Sequence, residues 1–298
     1  MQIGHNPRSS FARVYLILFT LLGVAWGVKT IQFWHSRQVI SQVHAHELVL
    51  IGDSHADDIP WPQRPRFTTS AQDPYTSYKY LEAIAETAEK DSKLHTVVLS
   101  IWPSKFAPQA LRRFSGQPQR DRWDIQSLGK LAPLLQVNDL WDSLAPKLFR
   151  WRALLHTFQI KRVYMRFDQD CTQRSVPKDF KRGQVHDFMH TNWWPDSEPI
   201  QNLYQRCAEL VAEQNWQLIL VENPLEDSYL RQIHPESYAN YRLFLEGLKI
   251  AFPDHVQTLE LGKSHHPHSY FRDWHHLTCE GEQFVSSALE PLLTPRFP

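Results

Sequence analysis

Several chemistries find no support in this sequence because the residues that they need are scarce. The chain has three cysteines, Cys171, Cys207 and Cys279, and no two of them form a Cys-x-x-Cys pair. A zinc knuckle or a thioredoxin-type redox site is therefore not expected. At most one disulfide can form, and the cysteines alone do not decide the compartment. Lys and Arg together number 32, as do Asp and Glu, so the net charge of zero gives no support for nucleic acid as a partner.

One stretch near the amino terminus is apolar enough to be considered as a membrane span. Phe11–Val28 has Arg13 close to its start and is followed by Lys29. A span needs about 20 apolar residues. This stretch is at the short end, but Arg13 and Lys29 can extend their charged groups to the interface. We expect an uncleaved anchor, because no cleavage site of small residues follows Val28. A cleaved secretory signal and a buried helix of a soluble protein are the alternatives.

Beyond this stretch, short apolar runs alternate with amphipathic segments, and the sequence has no internal repeat. The runs predict strands at Leu48–Ile51, Phe67–Thr69, Thr96–Ile101, Gln217–Val221 and Val256–Leu261. Apolar residues at helical spacing predict helices at Tyr75–Lys90, Leu203–Glu213, Tyr238–Ala251 and Glu280–Leu289. This alternation predicts an α/β fold, a three-layer, doubly wound parallel sheet with helices on both faces. Residues 104–200 are less regular, and we expect a helical insertion or lid there.

A candidate nucleophile follows the first predicted strand, where Leu48–Ile51 ends in Gly52-Asp53-Ser54. In open α/β sheets, ligands bind in the crevice at the carboxyl ends of the strands. A serine at this position therefore lies at the mouth of a site. Serine is a weak nucleophile unless a positioned base removes its proton. We expect Asp53 to be a turn or helix-cap residue and His55 to line the pocket.

A candidate base for this serine lies at the far end of the chain. Asp273 and His276 stand three residues apart in a loop before the last predicted helix. This spacing lets the carboxylate reach one imidazole nitrogen while the other nitrogen faces outward, as a serine nucleophile requires. His275 is the alternative base, but the Asp-x-x-His spacing favours His276. If the pattern is not catalytic, Ser54 caps a helix and Asp273 is an ordinary loop residue.

Two other groups of histidines were considered as candidate metal sites. They are His44-x-His46 and His265-His266-x-His268. No carboxylate or cysteine cluster completes either set, and histidine-rich loops are commonly solvated. We therefore expect neither a metal nor a cofactor.

Gly52-Asp53-Ser54, combined with Asp273-x-x-His276 and Gly281 near the end of the chain, resembles the SGNH (GDSL) hydrolase superfamily. Both blocks match in order and at the expected ends of the domain, and the outline covers about residues 47–290. The resemblance implies a flavodoxin-like sheet, with Ser54 as nucleophile, His276 as general base and then acid, and Asp273 as the carboxylate that orients it. The backbone N–H of Ser54 would be one oxyanion donor.

The middle of the chain departs from that family. The family has a glycine after its second strand and Gly-x-Asn-Asp after its third. This chain has no glycine between Gly52 and Gly116, and no asparagine directly follows Thr96–Ile101. The side-chain oxyanion donor is therefore missing or replaced. Loss of one such donor can lower the rate by roughly 10²–10³.

This departure and the predicted anchor make the chain similar to membrane-anchored SGNH-like proteins that modify cell-envelope polymers. These include the D-alanyl-lipoteichoic acid transfer proteins and the O-acetylation proteins of alginate-type exopolysaccharides. The resemblance implies an O-acyltransferase or O-acyl esterase that acts on an envelope glycan or glycolipid, with a membrane-bound O-acyltransferase as partner. Residues 1–45 would be the anchor and stalk, and residues 46–298 an extracytoplasmic catalytic domain. The alternative is a catalytically degenerate scaffold that binds polymer or a membrane partner.

Overall fold

The computed structural model describes residues 38–53, 55–59, 64–68, 74–107, 187–273 and 275–293, together with Tyr15, Phe19, Thr20, Gly23 and Gly27. The chain divides into two compact units. One combines Met1–Val39 with Trp123–Val163, and the other combines Ile40–Arg122 with Tyr164–Pro298. The second unit contains every strand in the described part of the chain.

Five parallel strands form one sheet in the described residues. They are β1 (Leu48–Gly52), β2 (Arg66–Thr68), β3 (Thr96–Ser100), β4 (Gln217–Glu222) and β5 (Val256–Glu260). Their order is β2-β1-β3-β4-β5, and all neighbouring pairs are parallel. This is the doubly wound order of flavodoxin-like sheets. The predicted α/β class and parallel sheet are confirmed, and each predicted strand end lies within one residue of its observed position.

Helices connect and flank these strands. They are α1 (Pro74–Glu86), α2 (Glu198–Glu213), α3 (Asp227–Leu230), α4 (Pro235–Ala251) and α5 (Cys279–Leu289). Both α2 and α4 begin earlier than their apolar periodicity predicts. Their first turns are polar and contain Pro199 and Pro235. Proline is favoured in a first turn, where its missing N–H would have no helical acceptor.

The sheet is covered on both faces. Leu50, Val98 and Ile219 share one face and form a buried cluster with Val285 and Leu289 of α5. On the same strands, the alternate positions are equally buried, and side chains alternate between the faces of a sheet. The connections that follow β2, β3 and β4 each lead to a strand that lies further toward β5 in the sheet. Because parallel crossovers are right-handed, α1, α2 and α4 share the face opposite α5. They contact β1, β4 and β5, respectively.

The chain changes direction at β1, and this creates a crevice at the carboxyl ends of β1 and β3. Gly52 ends β1 where the backbone passes very close to its neighbours. A Cβ atom at Gly52 would lie 2.6 Å from Cβ of Ala56 and 2.7 Å from Cβ of Ser100. Glycine is therefore required at this position by the close approach of β1, β3 and the turn that follows β1.

Several predictions concern segments that the structure does not describe or describes in part. Within the described residues, no helix has the length and apolar character needed to span a bilayer. The predicted anchor Phe11–Val28 lies outside them, apart from the five single positions, and remains a prediction. Of the predicted insertion, residues 108–186 also lie outside them. Within the predicted stalk, Ile40 and Val43 are buried, and the second compact unit begins at Ile40.

The cysteines differ in state. Cys207 is a free, buried thiol on α2, and burial raises its pKa to about 12, which keeps it protonated. Cys279 is disulfide-bonded, and its partner lies outside the described residues. Cys279 is also the first residue of α5, directly after the loop that contains Asp273 and His276.

Candidate active site

Asp273 and His276 form a hydrogen-bonded pair in the loop before α5. Oδ1 of Asp273 accepts the backbone N–H groups of His275 and His276, at 3.0 and 2.8 Å. Oδ2 lies 2.8 Å from Nδ1 of the His276 ring. An ionised carboxylate can only accept, so Nδ1 carries the proton and Nε2 is the ring nitrogen that can accept one. One oxygen of Asp273 therefore fixes the turn, and the other fixes the tautomer of the imidazole.

The negative charge of Asp273 is stabilised beside the His276 ring. Burial by itself would raise the pKa of this carboxyl. The hydrogen bond from His276 and the fields of His275 and His276 outweigh burial and hold its pKa well below the usual range. Asp273 is therefore an anion at neutral pH and can stabilise positive charge on His276.

The loop is anchored by Asp58, from the turn after β1. Oδ2 of Asp58 accepts the backbone N–H of Leu277 at 3.2 Å, and Oδ1 lies 3.3 Å from a guanidinium nitrogen of Arg272. Asp58 thus holds the chain directly on either side of the Asp273–His276 pair. Burial raises the pKa of Asp58 to about 7, although His276 and Arg272 oppose this shift. Gly281 brings α5 close, because a Cβ atom there would lie 2.4 Å from the carbonyl oxygen of Tyr270.

Asp53 is buried at the end of β1 and acts as an anchor rather than a proton carrier. Oδ1 accepts the backbone N–H of His55 at 3.0 Å and lies 3.2 Å from Nδ1 of the same residue. Oδ2 accepts the indole N–H of Trp102 at 3.2 Å and lies 3.4 Å from Nζ of Lys105. Burial favours the neutral acid, but Lys105 and His55 together lower the pKa of Asp53 well below its usual range. The carboxylate of Asp53 is therefore ionised, and both of its oxygens have donors.

His55 is oriented like His276. Its Nδ1 faces Asp53, so its Nε2 has the lone pair, and within the described residues this buried atom has no hydrogen-bond partner. The His55 ring stacks on that of His276 with centroids 5.3 Å apart, and its centroid lies 4.0 Å from that of Trp102. Burial lowers the pKa of His55, which favours the neutral ring. From the end of β4, Asn223 donates its side-chain N–H to the carbonyl oxygen of His55 at 2.8 Å.

His275 completes a group of three imidazoles. Its ring centroid lies 4.1 Å from that of His276 and 5.0 Å from that of His55. Burial and the fields of His55 and His276 lower the pKa of His275 to about 2, so this ring is neutral. One nitrogen from each of the three residues lies within 4.8 Å of the other two. This is the group in the described residues that could hold a metal ion.

The structure therefore gathers four of the five predicted site residues, Asp53, His55, Asp273 and His276, at one edge of the sheet. Ser54 lies outside the described residues. The other candidate metal ligands are engaged elsewhere. Nδ1 of His44 lies 2.8 Å from the Ser92 hydroxyl, and its Nε2 donates to the carbonyl of Ile84 at 3.0 Å.

The second histidine-rich group, which the sequence analysis considered and rejected as a metal site, also makes ordinary structural contacts. His265 pairs with Asp227 and is exposed. His266 donates through Nε2 to the carbonyl of Leu261 at 2.6 Å. Neither residue belongs to the group of three imidazoles.

Four residues at this site were not predicted from the sequence: Asp58, Trp102, Lys105 and Asn223. A signal for three of them was present. Trp102 and Lys105 follow β3, and Asn223 directly follows β4. Polar residues in these positions reach the crevice at the switch point of the sheet. Asp58 had no comparable signal, because its contacts with Arg272 and Leu277 join opposite ends of the chain.

Comparison with known proteins adds little to this description. The chain matches no protein-family model, and no curated protein matches it. Among solved structures, one provisionally described as a platelet activating factor from Streptococcus pneumonia aligns with 97% of this chain and 100% of its own chain. The TM-score is 0.42 and the sequence identity 12%. These values are too low for that likeness to carry an argument about this protein.

Proposed function

We propose that this protein is a serine acyltransferase or esterase, with Ser54 as nucleophile, His276 as general base and then acid, and Asp273 as the residue that orients His276. One observation carries the proposal. The Asp273–His276 pair, with its lone pair on Nε2, lies against the ring of His55. His55 is bonded directly to Ser54 in the chain, and consecutive Cα atoms are about 3.8 Å apart. The proposed base therefore lies against the residue that directly follows the candidate nucleophile in the chain, and this supports the proposal.

The proposed reaction has two halves. Nε2 of His276 takes the hydroxyl proton of Ser54 while the serine oxygen attacks an ester carbonyl, and a tetrahedral oxyanion forms. The backbone N–H of Ser54 donates to that oxyanion. As the carbonyl re-forms, the bond to the leaving alcohol breaks, and the alcohol takes the proton from His276. A sugar hydroxyl or water then attacks the acyl-serine by the same steps in reverse, and this restores the free serine.

We further propose that the substrate is an O-acylated or O-acylatable glycan or glycolipid of the cell envelope, and that the sheet domain lies outside the cytoplasm. The disulfide-bonded state of Cys279 supports an oxidising compartment. The predicted anchor Phe11–Val28 supports attachment to a membrane. A membrane-bound O-acyltransferase is the proposed partner that supplies the acyl group.

Labelling with a fluorophosphonate tests the chemical part of the proposal. The full chain, purified in detergent, is expected to be labelled and to hydrolyse a generic aryl acetate. Both properties should fall to background in Ser54→Ala and His276→Ala. A matched control is His265→Ala, since His265 also pairs with an aspartate but is exposed at the surface. This variant should behave as the unmodified protein does.

Two results would overturn the assignment. If Ser54→Ala keeps its labelling and turnover, then Ser54 is not the nucleophile. If the unmodified protein shows neither labelling nor turnover, the chain is a scaffold that binds polymer or a membrane partner without chemistry. For the active enzyme, adding a glycan acceptor distinguishes the two reaction types. A transferase should release the acyl group faster and place it on the glycan, whereas an esterase should release it to water at an unchanged rate.

A further inference from the structure

A fully buried lysine lies behind the residues that flank Ser54 in the chain. The side chain of Lys105 is 1% exposed and belongs to the short helical turn Pro103–Phe106, directly after β3. Its ammonium group donates to the carbonyl oxygen of Ser100 at 2.7 Å and lies 3.4 Å from Oδ2 of Asp53. The Asp53 side chain is equally inaccessible, at 2% exposed. Lysine and aspartate are almost never fully buried unless they are paired.

Stability alone is a weak explanation for a buried ion pair. The attraction between two buried charges is largely offset by the loss of their hydration, and well-packed apolar residues often replace such a pair without loss of stability. Removal of one partner, by contrast, leaves an uncompensated charge in the interior. The pair is therefore better explained by a requirement for a negative charge on Asp53, which Lys105 supports.

The negative charge of Asp53 determines how His55 is held. Oδ1 of Asp53 accepts the backbone N–H of His55 at 3.0 Å and lies 3.2 Å from Nδ1 of its ring. Oδ2 accepts the indole N–H of Trp102 at 3.2 Å and faces the ammonium of Lys105. Among these groups, only the ring of His55 could accept a proton from a neutral carboxyl. Loss of the charge would therefore move the ring proton of His55 from Nδ1 to Nε2.

The residues on both sides of Ser54 are thus fixed by side chains from other strands. Asp53 is held by Lys105, and the carbonyl oxygen of His55 accepts the side-chain N–H of Asn223 at 2.8 Å. We propose that Lys105 is a positioning residue that acts through Asp53, because its ammonium group keeps Asp53 an anion. This anion in turn orients His55 and the chain next to Ser54. The inference rests on the proposed role of Ser54 as nucleophile.

Replacement of the lysine tests this role in the full chain. Lys105→Met removes the charge and keeps a long unbranched side chain. Without the cation, burial favours the neutral form of Asp53. The rate of fluorophosphonate labelling should fall by about 10²-fold, since a displacement of about 1 Å can have this effect. The loss should be greatest at low pH and shrink as Asp53 regains its charge, and KM for an aryl acetate should change little.

A second variant keeps the test valid if Lys105→Met folds poorly. Lys105→Met combined with Asp53→Asn removes both charges and leaves none uncompensated, so it should resist denaturant better than Lys105→Met alone. It should label no more slowly than Asp53→Asn and lack the added pH dependence, because the carboxyl is gone. Lys249→Met is the matched control, since Lys249 also pairs with a carboxylate, Glu246, but at the surface. It should label as the unmodified protein does.

The state of the His55 ring is measured without reference to activity. Nitrogen NMR of the chain labelled at its histidines shows which ring nitrogens carry protons, and His55→Gln identifies the signals. In the unmodified protein, Nδ1 of His55 should be protonated and Nε2 should not. In Lys105→Met, Nε2 should gain a proton as the pH falls. The other titratable groups that face this ring are His275 and His276, and their signals are followed in the same spectra.

The proposal is overturned if Lys105→Met keeps the labelling rate and pH profile of the unmodified protein, or if Nε2 of His55 stays unprotonated in that variant. A loss of labelling that is equal at every pH would also overturn it, because a purely structural role predicts this result. If the unmodified protein is not labelled at all, the proposed function of Ser54 fails. The ring signals of His55 still decide, in that case, whether Lys105 acts through Asp53.

Discussion

Replacement of Asp273 by asparagine separates the two tasks of this side chain. Asparagine keeps one carbonyl oxygen, which can still accept the backbone N–H groups of His275 and His276 that Oδ1 now accepts at 3.0 and 2.8 Å. That orientation turns the amide NH₂ toward Nδ1 of His276, where Oδ2 now lies at 2.8 Å. Two donors would then face each other. The ring escapes this conflict by moving its proton to Nε2, which is the atom that must accept the proton of Ser54.

The expected effect on rate is large and the effect on stability small. In serine enzymes with a Ser-His-Asp triad, a base in the wrong tautomer lowers kcat by about 10⁴-fold, equivalent to about 5 kcal/mol of transition-state stabilisation. The free energy of unfolding should fall by only about 1 kcal/mol, since the charge-assisted hydrogen bond between Asp273 and His276 is replaced by a neutral one. Asp273→Ala should cost about 1–3 kcal/mol more, because the two backbone N–H groups lose their acceptor.

The assay combines turnover of an aryl acetate, the rate of fluorophosphonate labelling, and unfolding in denaturant. Asp227→Asn is the matched control, because Asp227 also pairs with a histidine, His265, away from the proposed site. It should leave turnover unchanged. If Asp273→Asn keeps turnover within tenfold of the unmodified protein while His276→Ala is inactive, the carboxylate does not set the tautomer of His276 and the reasoning is refuted.

Three further outcomes follow from other parts of the fold. Gly52→Ala should lower the free energy of unfolding by about 1–3 kcal/mol, measured in denaturant, because its Cβ would lie 2.6 Å from Cβ of Ala56; an unchanged midpoint would contradict the close approach. Burial raises the pKa of Glu222 to about 7 from 4.5, against the opposing charge of Arg242. The protonated acid therefore stabilises the fold fully below about pH 4.5, and this stabilisation is lost as pH rises through 7. Glutamine stays neutral, so between these limits the free energy of unfolding of Glu222→Gln should rise by up to about 3 kcal/mol relative to that of the unmodified protein. An equal pH dependence of both proteins would refute this. Thiol titration of the denatured chain should find one free thiol before reduction and three after it, since Cys207 is free and Cys279 is bonded; three thiols before reduction would contradict the disulfide.

The sheet was predictable from sequence because its three central strands, β1, β3 and β4, are short, mainly apolar runs that are buried on both faces. The pattern of Thr96–Ser100 is typical, since all of its residues are buried. The starts of α2 and α4 were predicted less well than those of α1 and α5, which lie within one residue of the prediction. The first turns of α2 and α4 are polar, so hydrophobic periodicity cannot identify them, although Pro199 and Pro235 mark them. Capping and first-turn chemistry, rather than core packing, decide where these helices begin.

Contacts within the candidate site divide in the same way, into local and long-range ones. The hydrogen bond from His276 to Asp273 spans three residues, and its spacing alone predicted it. The contacts of Asp58 with Leu277 and of Asn223 with the carbonyl of His55 join segments that are far apart in the chain. They depend on the order of the strands, which hydrophobic pattern does not encode. No local rule in the sequence could have paired these residues.

The two aspartate–histidine pairs have a common local origin. At Asp53 and at Asp273, one carboxylate oxygen accepts the backbone N–H of the residue two positions later, at 3.0 Å in both cases. This is the turn that aspartate side chains characteristically form. The turn places the carboxylate beside a ring that follows it, His55 in the first case and His276 in the second. Each pair is therefore set by its own short segment, and the doubly wound sheet needs only to bring two such turns to the same switch point. That is why a single substitution in either turn should change one imidazole without disturbing the fold that supports the other.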